Sequence, residues 1–126
     1  MKAKIKVWIE DDNGQIVFGE GKKALLSAIK ETGSILGASK KMELGYKKAW
    51  GHVKVVEELL SSDILSKKQR GGTDGGGAEV SAIGEELISK YELFRLDVDG
   101  YANKRFAVIF GENGEFFNGL KQKNEA

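Results

Sequence analysis

Apolar positions along this chain change their spacing several times, and each change marks an element. Residues 4–10, Lys-Ile-Lys-Val-Trp-Ile-Glu, alternate polar and apolar with period two, which predicts a half-buried strand. Asp11-Asp12-Asn13-Gly14 is a turn signal, and Gln15-Ile16-Val17-Phe18 returns as a second strand, giving a hairpin over 5–18. Trp8 is expected in the core or at an interface. A lone hairpin is marginal in water, so it should pack on helices or on a partner subunit. From about Lys22 to Thr32 the period lengthens, and Leu25, Ala28 and Ile29 form the inward face of a helix.

The stretch Gly33–Trp50 reads as two short helices around a tight turn. Ser34 is a good N-cap, and Gly33 closes the helix before it. Ile35, Ala38 and Met42 share one face. Glu43-Leu44-Gly45 is the turn, with Gly45 as a weaker cap. The next helix starts at Tyr46 and runs to about Leu60. Ala49, Val53, Val56 and Leu60 lie on one side of it, with Trp50 at the edge, expected to anchor the helix to the core. Lys47, Gly51 and Lys54 lie roughly opposite, flanked by Lys48. Residues 22–60 thus predict a helical core containing a helix-turn-helix.

A short strand with Lys67, Lys68 and Arg70 follows. Then comes a loop with five glycines in the seven residues 71–77, and a return strand through Ala78-Glu79-Val80-Ser81. This hairpin over 63–81 has the position of a wing. Leu87, Tyr91, Phe94, Val98 and Tyr101 then recur at four, three, four and three residues. That heptad-like stripe predicts a helix over 84–110 used for dimerisation. A helix ending near Leu96, with residues 106–110 as a strand, is the alternative. The tail 118–126 is polar and expected to fray. The predicted class is mainly α with small β: a winged helix-turn-helix with an N-terminal β-hairpin and a long C-terminal dimerisation helix. The 126 residues are expected to form one domain.

Composition narrows the chemistry. There is no cysteine, so thiolate metal sites and disulfides are excluded, and with one histidine, His52, neither a multi-histidine metal site nor a serine triad is expected within one chain. No metal or cofactor is expected. No long apolar run or signal peptide is evident, which points to the cytoplasm. The net charge of +1 argues weakly against nucleic acid, but its distribution argues for it. Five lysines and one acid lie between Lys40 and Lys54, against nine acids and six bases from Ala78 onward. The basic charge is concentrated on the helix-turn-helix, as an electrostatic footprint requires.

The runs ETGSI at 31–35, LGYKKAW at 44–50 and RGGTDGGGAEVSAIGEELI at 70–88 resemble the N-terminal DNA-binding domain of the ModE family of molybdenum-responsive regulators. The likeness extends over about residues 5–95, and a YKKAW helix start combined with a GGxxGGGA wing is specific. It implies a homodimeric regulator whose second helix enters the major groove. Gly45 stands where the family usually has Ser, and Ser81-Ala82 replaces the usual Leu-Thr, leaving the cap of the following helix unclear. The family's full-length regulators continue into molybdate-binding domains. No second β-rich region is evident in this chain, so molybdate is not expected to bind it.

The residues expected at double-stranded DNA are Ser34, Tyr46, Lys47, Lys48, Gly51 and Lys54 of the helix-turn-helix. In the wing they are Lys67, Lys68, Arg70, Gly71, Gly72, Thr73, Gly75, Gly76 and Gly77. The lysines and Arg70 neutralise phosphates or reach base edges, and Tyr46 donates to a phosphate. Gly51 removes a side chain where the helix presses on a groove. The wing glycines let backbone amides approach phosphates. Two other classes compete. A nucleotide-binding role for GGTDGGG is disfavoured, because the loop lacks the G-K-[ST] ending and lies between strands. An interaction module that has lost DNA binding is the other.

Overall fold

The structure is a computed structural model describing residues 1–67 and 77–119. Two compact units emerge: Val7–Lys90, and Met1–Lys6 together with the described residues from Tyr91 on.

In the first unit, β1 (Ile9–Glu10) pairs antiparallel with β2 (Ile16–Phe18). Ile9 lies opposite Phe18 and Glu10 opposite Ile16, with an irregularity between them. The Asp11 carboxylate closes the turn, accepting from the amides of Asn13 and Gln15, both at 2.9 Å. The hairpin is shorter than the alternation predicts. Ile5, Trp8 and Ile9 are exposed and residues 4–8 are not in a strand, so the half-buried strand expected over 4–10 is corrected to two residues. A two-stranded ribbon offers no second layer to cover one face, so period-two alternation cannot be converted into burial. Trp8 is likewise not a core residue. Its indole nitrogen donates to Glu10 at 2.9 Å.

Helix α1 (Glu20–Thr32) starts two residues earlier than predicted and buries Leu25, Leu26, Ala28 and Ile29. It ends as expected at Gly33, whose φ of 80° is left-handed and whose amide donates to the Ile29 carbonyl at 2.7 Å. Helix α2 (Ile35–Lys41) opens on Ser34, whose Oγ accepts from the Gly37 amide at 2.9 Å. Helix α3 (Tyr46–Leu60) follows a turn in which Glu43 takes φ 55°. Ala49, Val53 and Val56 of α3 join Phe18, Leu25, Ile29, Ala38 and Ile64 in one buried core. Leu60, expected on that face, is only half-buried.

Strands β3 (Leu65–Lys67) and β4 (Ala78–Val80) pair antiparallel, Leu65 opposite Val80 and Lys67 opposite Ala78. Four hydrogen bonds hold the base of this hairpin. The Ile64 amide donates to Glu57 of α3 at 3.1 Å. The Ser81 amide donates to the Ile64 carbonyl and the Ser81 hydroxyl to the Asp63 carbonyl, both at 2.8 Å. The Ala78 amide donates to the Gly33 carbonyl at 2.8 Å. The wing base is thereby tied to α3 and to the α1–α2 junction.

Helix α4 (Ala82–Phe110) is continuous, which resolves the open choice over 97–117 in favour of helix through Phe110. Its start is clearer than the sequence suggests: Ser81 Oγ accepts from the Gly84 amide at 3.3 Å, an N-cap bond. Gly84 is sterically required. A Cβ there would lie 2.7 Å from Val80 Cγ1 and 2.9 Å from the Ile64 carbonyl oxygen.

In the second unit, the Asn103 amide group brackets Ala3, accepting from its backbone N–H at 3.0 Å and donating to its carbonyl at 3.1 Å. Phe110 packs with Phe106, Phe116 and Phe117 at ring separations of 5.2, 5.8 and 5.3 Å. Residues 115–119 form a further helical turn, so the frayed tail expected from 118 does not begin there. Residues 120–126 lie outside the described set.

Candidate nucleic-acid interface

Helix α3 carries the site because its two sides are chemically opposite. Ala49, Val53 and Val56 are buried, while Tyr46, Lys47, Lys48, Trp50, Gly51 and Lys54 are exposed. Burial of the first set fixes the rotation of the helix, and so presents the second set to solvent. The first turn of α3 has no acidic residue, and its N-cap Gly45 makes no side-chain hydrogen bond. The positive end of the helix dipole therefore adds to Lys47 and Lys48.

Trp50 departs from its expected role. It is 40% exposed, and Lys54 Nζ sits 4.5 Å from the centroid of its ring. Its neighbour Ala49 takes the inward direction, and one residue turns the helix about 100°, which carries the indole to the rim. Lys54 also reaches Glu57 at 3.5 Å. Its ammonium is held in place, whereas Lys47 and Lys48 project freely outward from the start of the helix. Gly51 lies between them with open space around it: a Cβ would meet nothing within 4 Å.

A further cation joins this face from α1. Lys22, which no motif in the sequence marks, is half-buried and donates to the Ile16 carbonyl at 3.3 Å. Burial lowers its pKa. His52 is also half-buried, one turn beyond Lys48. Its pKa is lowered by burial and by the charges of Lys22 and Lys48. The charges of Lys22 and Lys48 are thus brought to His52 from two helices. The proximity of Lys22 to His52 is tertiary, and no local pattern reports it.

Ser34 is half-buried with its oxygen committed to the α2 cap. Of the wing residues, Lys67 lies in β3 and Gly77 is half-buried next to β4. Lys68, Arg70, Gly71, Gly72, Thr73, Gly75 and Gly76 lie outside the described residues. Of the expected dimerisation stripe, Phe94 and Tyr101 are exposed, Leu87 and Val98 are half-buried, and Tyr91 is 1% exposed. Tyr91 belongs to the chain's own interior, because close packing leaves it no surface to offer a partner. Among the described residues there is no group of three His, Asp or Glu side chains suited to a metal ion, and no helix long and apolar enough to cross a membrane.

Three helices with a tight α2–α3 turn, followed by an antiparallel hairpin, define a winged helix-turn-helix protein with a basic face on its second motif helix. No family model matches the chain. Its sequence is similar to the ModE regulators and their relatives, bearing out the resemblance read from its motifs. It is 41% identical over 108 residues to the molybdenum-pterin-binding protein MopB of Rhodobacter capsulatus, covering 86% of this chain and 40% of that protein. It is 32% identical to the transcriptional regulator ModE of Haemophilus influenzae, covering 86% of this chain and 49% of that one. The chain thus spans less than half the length of these curated relatives. The fold is also that of full-length LTTR LysG from Corynebacterium glutamicum with bound effector Arg. That match has a TM-score of 0.50 at 20% identity, over 73% of this chain and 30% of that one.

Proposed function

We propose that this chain is a sequence-specific DNA-binding transcriptional regulator. It acts in the cytoplasm as a homodimer, with α3 in the major groove and the glycine-rich wing on the backbone or in the minor groove. It is not an enzyme, and it works without cofactor, metal or molybdate. One observation carries the reading. The exposed start of α3, with Tyr46, Lys47 and Lys48, stands opposite the buried Ala49–Val53–Val56 face, in a helix-turn-helix pinned at Gly33 and Ser34. An α-helix presented in this way fits the major groove, which is about 12 Å wide. The names of the relatives, transcriptional regulators among them, support the same reading.

Lys47 and Lys48 supply base-edge and phosphate contacts, and Tyr46 supplies a phosphate contact. Lys22, Lys48 and His52 supply a second phosphate site on the flank of α3. Lys67, Lys68 and Arg70 contact the backbone through the wing. Gly51 permits close approach of α3. Dimerisation uses the exposed side of α4 bearing Phe94 and Tyr101.

The test is selection from a randomised duplex pool, followed by competition between the enriched site and a scrambled duplex. A preferred site bound far more tightly than the scramble supports the reading. Retention without preference would reduce it to an electrostatic face, and no retention would leave an interaction module.

A further inference from the structure

Glu57 stands where the electrostatics of α3 disfavour it. It lies in the last turn of the helix, where the negative end of the dipole repels a carboxylate, and that turn has no basic residue. Its side chain is only 13% exposed, so the charge is also largely withdrawn from water. Both carboxylate oxygens are nonetheless committed. Oε2 accepts from the Ile64 amide at 3.1 Å. Oε1 faces Lys54 Nζ at 3.5 Å, across one turn of the same helix.

These two contacts belong to different elements of the proposed DNA surface. Lys54 Nζ sits 4.5 Å from the centroid of the Trp50 ring, on the exposed side of α3. Ile64 is fully buried and immediately precedes β3. Its carbonyl accepts from the Ser81 amide at 2.8 Å, just past the end of β4, so a shift of Ile64 moves both strands of the wing base. The Glu57 carbonyl also accepts from the Ser62 amide at 3.2 Å, so residue 57 holds the α3–β3 connection at two points. One carboxylate thus bridges the helix that carries the basic face and the base of the wing. A neutral acceptor would satisfy the Ile64 amide alone, and the charge serves Lys54.

We infer that Glu57 is a positioning residue for DNA recognition: its bond to Ile64 sets the wing base against α3, while its other oxygen holds the Lys54 ammonium on the exposed side of the helix. Helix and wing then meet DNA as one body, and contact at the positions flanking the major-groove site depends on the reach of the side chain at residue 57. The inference rests on the DNA-binding reading above and adds the residue that couples its two contacting elements.

Two conservative variants of the full chain separate reach from charge. Glu57→Gln keeps an acceptor for the Ile64 amide and loses the charge beside Lys54. Glu57→Asp keeps the charge but draws the carboxylate back by about 1.5 Å, beyond hydrogen-bond distance of that amide. Each is compared with the parent by hydroxyl-radical footprinting on the duplex selected from a randomised pool, at saturating protein, with circular dichroism confirming the fold. Hydrogen exchange at the Ile64 amide reports the bond itself. Glu57→Gln should keep parent-like exchange and the parent's protection at centre and flanks. Glu57→Asp should speed that exchange, keep the central protection, lose the flanking protection and weaken binding about tenfold, the order expected for one charge-assisted hydrogen bond. Glu57→Ala, which also frees the amide, carries the same expectation and replaces the aspartate variant should that one fail to fold. Parent-like flanks in Glu57→Asp or Glu57→Ala, or lost flanks in Glu57→Gln, would overturn the positioning role and leave the DNA reading standing. A parent chain that selects no duplex would overturn the DNA reading and this inference together.

Discussion

Lys54 Nζ rests 4.5 Å above the indole ring of Trp50, one turn away on the exposed side of α3. The tryptophan of the YKKAW motif therefore holds a cation in place at the surface. A cation over an exposed indole is worth about 0.5–1 kcal/mol. Trp50→Ala should accordingly lower stability by about 1–2 kcal/mol, the cation contact plus the packing of its covered side, and weaken DNA binding by freeing Lys54. Thermal melts and fluorescence anisotropy on the same variant separate the two effects. A loss of several kcal/mol, as for truncating a buried tryptophan, would return Trp50 to the core.

Two glycines on helices should respond in opposite directions. Gly84→Ala drives a methyl group into Val80 and the Ile64 backbone, and should cost about 1–3 kcal/mol. Gly51→Ala meets open space and should stabilise the free protein by up to about 1 kcal/mol. The same Gly51 substitution should weaken binding to the selected DNA site. Chemical denaturation of both variants checks the stabilities. Unchanged DNA affinity in Gly51→Ala would remove this residue from the interface.

Ser81 joins three parts of the structure, capping α4 and bonding to Asp63 and Ile64. Ser81→Ala keeps the backbone bond but loses both hydroxyl bonds, at a cost of about 1 kcal/mol. Hydrogen exchange should report faster opening at the Gly84 amide, which loses its acceptor. Unchanged exchange there would show that the cap contributes nothing.

His52 gives the protein an expected pH dependence. Its pKa in the folded chain is lowered by burial and by Lys22 and Lys48, so the folded state favours the neutral ring. The unfolded chain binds more protons in the window below about pH 6.5. The stability tied to neutral His52 is present above that pH and is lost as pH falls toward the lowered native value. Phosphates bound beside His52, as proposed above, would act in the opposite sense and draw a proton onto it. Affinity for DNA should therefore rise as pH falls through this window, and His52→Gln should flatten the rise. Equal pH dependence in parent and variant would place His52 away from phosphate.

The helix-turn-helix is legible in the sequence because its signals are local. Gly33, Ser34 and the Ala49–Val53–Val56 spacing each act within a turn or two of helix, and the ends of α3 fall where that spacing places them. The N-terminal hairpin is overcalled because alternation reports burial only when a second layer exists, and here Ile5, Trp8 and Ile9 remain exposed. Tyr91 shares the heptad spacing of Phe94 and Tyr101 but is consumed by the interior, a distinction that spacing alone does not carry. Lys22 joins the basic face, and Ser81 the wing base, only through tertiary contacts between distant segments.

The central claim is that α3 reads sequence and does not merely supply positive charge. The most direct measurement is anisotropy of parent and Lys47→Ala on the selected duplex and on random duplex, over a salt series. The parent should show a preferred site that survives near-physiological salt. Lys47→Ala should reduce the salt slope by about 1 and narrow the gap between selected and random DNA. Equal loss on both duplexes, with the preference intact, would contradict the assignment of α3 as the reading element.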